Sequence, residues 1–258
     1  MKIGIIGLGL IGGSIFKSLS SQGIDVIGIS NSQAGKYDNI FADWNNLSNC
    51  DLVFVCSPMN KLIEDLKKLE NYVSESTIVT DVGSLKEFVT NEIYKFNFIP
   101  SHPMAGTEFS GFDSSKEDLF QGAKWVLTPK DGIVPSLLKD LIEKMGANII
   151  ITTPSEHDEA VALISHMPLV LSQALFMCAD NDLSKKLASS GFRDMTRLAL
   201  SSEEMACDMV KINSDNIQKA LLKLYANIGS LIKENYPEKI ANIKQKRRQM
   251  YENGVNIL

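Results

Sequence analysis

The feature that most constrains this fold is a glycine triplet at the N-terminus. In "KIGIIGLGLIGGS" Gly7, Gly9 and Gly12 form a G-x-G-x-x-G pattern after a strand-like run (2–7) and before a helical segment. Each position has a physical reason. Gly7 permits a tight turn, Gly9 lets the backbone approach a pyrophosphate, and Gly12 lets helix and strand pack closely. The helix N-terminus then directs free N–H groups and a partial positive charge at the phosphates. A glycine-rich turn that binds nothing is the alternative, disfavoured because the next strand-like run (25–30) arrives at the right distance. Leu10 and Ile11, opening the helix, and Cys56 and Ser57, ending the run 51–56, are expected to line the same cofactor crevice.

Further short apolar runs lie at 77–82, 96–101, 125–129 and 147–152, several of them separated by helical patterns. One such pattern, "NKLIEDLKKLENYV", has apolar Leu62, Ile63, Leu66 and Leu69 on one face. Strands alternating with helices predict βαβ units and a largely parallel sheet, less securely so for the later strands. From about 153 onward only helical patterns remain, and Thr153-Pro154-Ser155 offers a turn and an N-cap. The expectation is therefore an α/β Rossmann-type dinucleotide-binding domain over 1–153 and an all-α domain over 154–258. In that half, 216–236 carries an apolar stripe through Ile217, Leu221, Leu224, Ile228 and Leu231, able to pack within one chain or across a dimer. The basic "IKQKRRQMYENG" reads as a solvated helix face.

With 258 residues, 44% of them hydrophobic and a net charge of −5, the chain has a real core and no general attraction to nucleic acid or anionic membrane. A small anionic substrate would need local positive groups. No uninterrupted apolar stretch approaches the ~18 residues of a membrane span, and glycine punctuates the N-terminal run too densely for a signal peptide. The four cysteines have no metal-ligand spacing and read as buried reduced thiols in a cytoplasmic protein. No metal is expected.

Cofactor choice turns on the end of the second strand-like run, where a carboxylate would bind the ribose hydroxyls of NAD and repel the 2′-phosphate of NADP. Ser30 stands there, followed by Asn31 and Ser32, with Lys36 the nearest base. NAD or NADP would be tolerated, with a slight lean to NADP.

Three clusters could do chemistry. Ser84, in "TDVGSLK", lies just past a strand, where doubly wound folds bind ligands; a helix cap is its plainer reading. His102, in "IPSHPMAGTEFSG" (99–111), reads as a loop residue, because the stretch has neither helical nor strand periodicity. Near neutral pKa it could take an alcohol proton while hydride leaves the same carbon. His166, in "LISHMP", could be a ligand contact or a satisfied buried histidine, and His157, in "SEHDEA", reads as an exposed first-turn residue. Arg193 and Arg197 are four apart, so on one helix they would share a face suited to a dicarboxylate; a surface pair of Arg193 with Asp194 is the alternative.

"GLGLIGGS", "TDVGSLK", "SHPMAGTEFSG", "LISHMPLVLSQAL" and "SSGFRDMTR", in this order, resemble the TyrA family of prephenate and arogenate dehydrogenases over nearly the whole chain. The resemblance implies oxidative decarboxylation of a cyclohexadienyl substrate in tyrosine biosynthesis, by a Rossmann domain joined to a helical dimerisation domain in a homodimer. It gives His102 the role of base for the ring hydroxyl. Ser84 would hold that hydroxyl and orient His102, Arg197 would bind a substrate carboxylate, and His166 would position the substrate. Thr107 would be a ligand contact, Glu108 would stand near the entrance, and Arg193 would be a basic residue of less secure role. The substrate side chain, keto in prephenate or amino in arogenate, has no selector visible in the sequence; prephenate is the expectation. Control through an appended regulatory domain is not expected, which leaves direct competition by tyrosine. A β-hydroxyacid dehydrogenase of the 6-phosphogluconate type would want a lysine in "SHMPLVLSQAL". A non-catalytic dinucleotide sensor would not need His102, Ser84 and Arg197 together.

Overall fold

The computed structural model describes residues 1–107, 109–233 and 235–252. Strand β1 (Lys2–Ile6) leads through the glycine turn into helix α1 (Leu10–Ser21), then β2 (Asp25–Ile29), β3 (Ile40–Phe41), β4 (Leu52–Val55), α2 (Met59–Leu69) and β5 (Ile78–Asp81). A short helix α3 (Glu87–Thr90) precedes β6 (Asn97–Phe98). These strands form a six-stranded parallel sheet in the order β3-β2-β1-β4-β5-β6, the doubly wound arrangement whose order reverses beside β1.

The sheet forms because its strands are apolar on both faces. Leu52 and Phe54 join Ile3 and Ile5 on the face covered by Ile15, Phe16 and Leu19 of α1. Val53 and Val55 alternate to the other face, with Ile6 and with Leu62, Leu66 and Leu69 of α2. Near-continuous apolar runs are what strands buried on both sides require.

A second sheet follows, β7 (Ser101–Met104), β8 (Lys124–Leu127) and β9 (Asn148–Ile151), with helix α4 (Ser136–Lys144) before β9. β8 runs parallel to β9 but antiparallel to β7, which pairs His102 with Val126. His102 therefore stands on a strand rather than in the loop expected for 99–111. Two prolines in so short a run erase any alternation, and Pro103 is tolerated because β7 lies at the edge of its sheet. Ser101 joins the two sheets: its hydroxyl donates to Asp81 O (2.6 Å) and accepts from Thr80 Oγ1 and Trp125 Nε1 (2.9 Å each).

Past β9 the described chain is helical. Thr153 caps α5 (Pro154–Val161) in a full capping box with Glu156. A π-turn (Ala162–His166) continues directly into α6 (Met167–Cys178). Pro168 has no N–H for the i−4 carbonyl, and such wide turns accommodate that loss. By length and composition alone the continuous helix 154–178 could cross a membrane, although Ser165, His166, Ser172 and Gln173 interrupt its apolar run. Here its first half carries buried His157, Asp158 and His166. Helices α7 (Asp182–Leu187), α8 (Ser190–Met195), α9 (Glu203–Ile212), α10 (Ser214–Lys233) and α11 (Tyr236–Glu252) complete the domain. Ile217 and Ala220 are buried on α10, whereas Leu222, Tyr225, Ile228 and Ile232 lie exposed in the single chain, as do Phe176 and Met177 on α6. The basic stretch of α11 is solvated. Cys50 is buried and Cys56 partly so, but Cys178 and Cys207 are exposed, so burial describes only half of the thiols; all four are free.

Candidate active site

The glycine turn has the geometry its spacing requires. Gly7 adopts φ +84°, and a Cβ there would lie 2.8 Å from Cys56 O. A Cβ on Gly12 would lie 2.0 Å from Gly7 O and 3.0 Å from Cys56 Cβ, so helix and strand meet too closely for any side chain. Gly9, the N-cap of α1, has nothing within 4 Å of its Cβ position and no side-chain cap bond. That open space, over the unsatisfied amides that begin α1, fits a dinucleotide pyrophosphate. Leu10 and Ile11 lie half-buried at that end. Cys56 forms the wall beneath the turn, its thiol kept protonated mainly by burial and secondarily by Asp81. The Ser57 hydroxyl is engaged by Asp65 of α2. At the end of β2, Ser30 Oγ lies 3.3 Å from Ser32 Oγ, exposed Asn31 stands between them, and Lys36 Nζ donates to Gln33 (3.3 Å).

His102 is held from the helical half. Its Nδ1 lies 3.0 Å from His157 Nε2, and His157 Nδ1 lies 2.7 Å from Asp158 Oδ1. His157 is 3% exposed, not the surface residue its polar neighbours implied. The signal was its spacing: His157 shares a helix face with Val161, also buried. Asp158 accepts the backbone N–H groups of Lys86 (2.8 Å) and Glu87 (2.9 Å), tying α5 to the "TDVGSLK" turn.

Within that turn, Lys86 and Asp81 form a fully buried ion pair, and Lys86 Nζ also donates to Ser101 O at 2.6 Å. Burial depresses the Lys86 pKa, and Asp81 opposes the shift. Ser84 is not a helix cap, since α3 begins after Lys86. Nor does it orient His102: Ser84 Oγ donates to Met59 Sδ (3.0 Å), and His157 takes the orienting position. Burial, then the neighbouring His157, Lys86 and His166, hold the His102 pKa well below its ordinary value, so the ring is a neutral base.

His166, at the end of the π-turn, is buried and bonds Asn213 Nδ2 through Nδ1 (3.1 Å). Burial lowers its pKa to about 4, with Asp158 opposing and His157 adding to the shift. Arg193 and Arg197 do not share a helix face. α8 ends at Met195, and the Thr196 hydroxyl caps back onto Phe192 O (2.7 Å); Arg197 then opens a 3₁₀ turn, Arg197–Leu200. That turn docks on the His166 helix through Ala199 N–H donating to Ser172 Oγ (3.0 Å). Arg193 pairs with Asp194 at 3.7 Å on the surface. Thr107 is exposed, its hydroxyl accepting the Phe109 N–H (3.3 Å), and Glu108 lies outside the described residues.

Residues 19–162 match the family described as prephenate dehydrogenase, nucleotide-binding domain, and residues 153–244 the prephenate dehydrogenase, dimerization domain. The chain belongs to the prephenate dehydrogenase family. Among family members, the prephenate dehydrogenase of Bacillus subtilis is 32% identical over 83% of this chain and 64% of its own length, so the match spans under two thirds of that relative. The crystal structure of prephenate dehydrogenase from Aquifex aeolicus, in complex with hydroxyphenyl propionate and NAD+, superposes with a TM-score of 0.87 at 29% identity, covering 97% of this chain and 98% of that one. The Synechocystis arogenate dehydrogenase gives 0.82 at 32% identity, covering 98% of both chains. The Rossmann-like sheet with a helical second domain is thus the family fold.

Proposed function

We propose that this chain is a prephenate dehydrogenase, converting prephenate to 4-hydroxyphenylpyruvate with hydride transfer to NAD or NADP, as a step toward tyrosine. The observation that carries the reading is the neutral His102, held by buried His157 at the junction of the second sheet and the helical half. A bound nicotinamide supplies the hydride acceptor. His102 takes the proton of the ring hydroxyl as hydride leaves the same carbon, and loss of the ring carboxylate as carbon dioxide makes the ring aromatic. The proton then returns from His102 to the product's phenolic oxygen, so no net proton is consumed. Aromatisation drives the reaction, which leaves the protein to orient the substrate, hold the proton and clamp carboxylates.

Ser84 holds the same hydroxyl, Arg197 binds a carboxylate, and His166 positions the substrate; Thr107 contacts the ligand, Arg193 supplies a further basic group, and Glu108 keeps the entrance role that its motif implies. Residues 1–153 carry the cofactor, through Gly7, Gly9, Leu10, Ile11, Gly12, Ser30, Asn31, Cys56 and Ser57, and 154–258 the substrate and dimer contacts. A homodimer would cover the exposed apolar residues of α6 and α10. With Ser30 where an acid would exclude the 2′-phosphate, both cofactors are accepted, with a lean to NADP. The free cysteines agree with a reducing cytoplasm. Arogenate is the second reading, favoured by the likeness to the Synechocystis enzyme.

The test is a matrix of prephenate and arogenate, each with NAD and NADP, followed by reduced-nicotinamide absorbance. Prephenate should be the better substrate. Silence in all four combinations favours a dinucleotide sensor.

A further inference from the structure

We propose that Asp158, acting through His157, fixes where the protons sit on His102, holding it as the Nδ1–H tautomer with the Nε2 lone pair left for the substrate hydroxyl. His157 and Asp158 are then positioning residues for the base. The inference rests on the dehydrogenase reading for its catalytic consequence, but the tautomer itself does not.

The argument runs outward from Asp158. Its carboxylate receives two backbone N–H groups, Lys86 on Oδ1 and Glu87 on Oδ2, and the His157 ring on Oδ1. An ionised carboxylate can only accept, so His157 Nδ1 carries the proton. While His157 carries this single proton, its Nε2 is an acceptor, and it lies 3.0 Å from His102 Nδ1, with the two ring planes 77° apart. The proton between the rings therefore belongs to His102 Nδ1. What remains on His102 is an unprotonated Nε2, the state a base requires. When Nε2 takes the substrate's proton, the new charge already has an acceptor in His157 and a fixed negative charge beyond it, with no reorganisation needed.

The same residue sets His166 in the opposite sense. Asn213 Nδ2 donates to Asp158 O (2.9 Å) and faces His166 Nδ1 (3.1 Å), while Asn213 Oδ1 accepts from Asn216 Nδ2 (3.0 Å). A carbonyl oxygen cannot donate, so the amide is fixed, His166 Nδ1 accepts, and the His166 proton sits on Nε2. One centre thus presents an acceptor on His102 and a donor on His166. The groups around the pair are Asp158 and His166 from the helical half and the Lys86–Asp81 pair from the sheet.

The three histidines make the test direct. Long-range proton–nitrogen spectra of the rings in the full-length protein should show His102 and His157 protonated at Nδ1 and His166 at Nε2. In Asp158→Asn the negative charge behind His157 is lost, and the amide NH2 displaces either the Glu87 contact or the Lys86 and His157 contacts; in the second arrangement the His157 proton moves to Nε2, so His102 must accept through Nδ1 and carry its proton on Nε2. With prephenate, kcat should fall about 100- to 10,000-fold while KM moves less than about threefold, the pattern of a wrong tautomer rather than lost binding. Should Asp158→Asn fail to fold, His157→Gln serves: His102 should lose its single tautomer and kcat should fall by at least about tenfold. An Nε2–H His102 in the unmodified protein, as a cationic His157 would impose, overturns the proposal. So does wild-type kcat in either folded variant. If no substrate is oxidised, the dehydrogenase reading fails while the ring spectra still decide the tautomer.

Discussion

Asn213, at the end of α9, faces His166 Nδ1 at 3.1 Å and so fastens that helix to the π-turn within the helical domain. This buried, neutral histidine has a pH consequence. Its pKa falls from 6.5 unfolded to about 4 folded, and that of His102 falls in the same direction. Between these values the unfolded chain binds more protons, so stability is full above the unfolded pKa and is lost as pH drops toward the folded one. Thermal midpoints measured across this window should fall as pH decreases from 6.5 to 4, and His166→Gln should flatten the dependence. A midpoint rising on acidification would contradict the neutral assignment.

His102→Asn should fold and bind dinucleotide normally, with kcat reduced about 100- to 10,000-fold. Because its pKa is depressed, wild-type kcat should stay flat on acidification past 6.5, where an ordinary imidazole is half protonated. Steady-state kinetics and dinucleotide titration read both outcomes.

The glycines of the turn separate by mechanism. Gly9→Ala meets open space, so its melting temperature should match the wild type while dinucleotide affinity drops. Gly12→Ala would place its Cβ 2.0 Å from Gly7 O and should destabilise the protein even without dinucleotide. Paired melting curves and binding isotherms check the contrast; equal melting temperatures would remove Gly12 from the packing account.

Arg197 is exposed in the single chain, and Arg197→Ala should raise the substrate KM about tenfold or more, since a hydrogen bond to a charged group contributes about 1.5–3 kcal/mol. Arg193 and Asp194 are 81% and 75% exposed. Arg193→Ala should therefore change KM less than about threefold, the effect expected of a solvated pair. The reverse ranking would move the carboxylate clamp to Arg193.

Much of the fold was legible because it rests on local pattern. The glycine spacing, the apolar strands and the Thr153 cap each carry their own physical requirement, and the structure meets all three. What was not legible depends on contacts between distant residues. His102 lies on an edge strand, which its prolines disguised, and no sequence rule announced that β7 would pair with β8 across the intervening segment. His157 looked solvated because its immediate neighbours are polar, yet its partners are His102, 55 residues away, and Asp158. The shared face of Arg193 and Arg197 failed because helical spacing presumes an unbroken helix, and Thr196 ends it. Residue chemistry pointed to His102; only the fold shows what holds it.

The central claim is that this site couples hydride removal to loss of the ring carboxylate, with His102 holding the proton. The most direct measurement is a single progress curve with prephenate and dinucleotide in which reduced nicotinamide and carbon dioxide are quantified together. The account predicts equimolar release of the two by the wild-type protein, and the same ratio at a rate reduced about 100-fold or more in His102→Asn. Reduced nicotinamide without carbon dioxide, or equal rates in the two proteins, would contradict it.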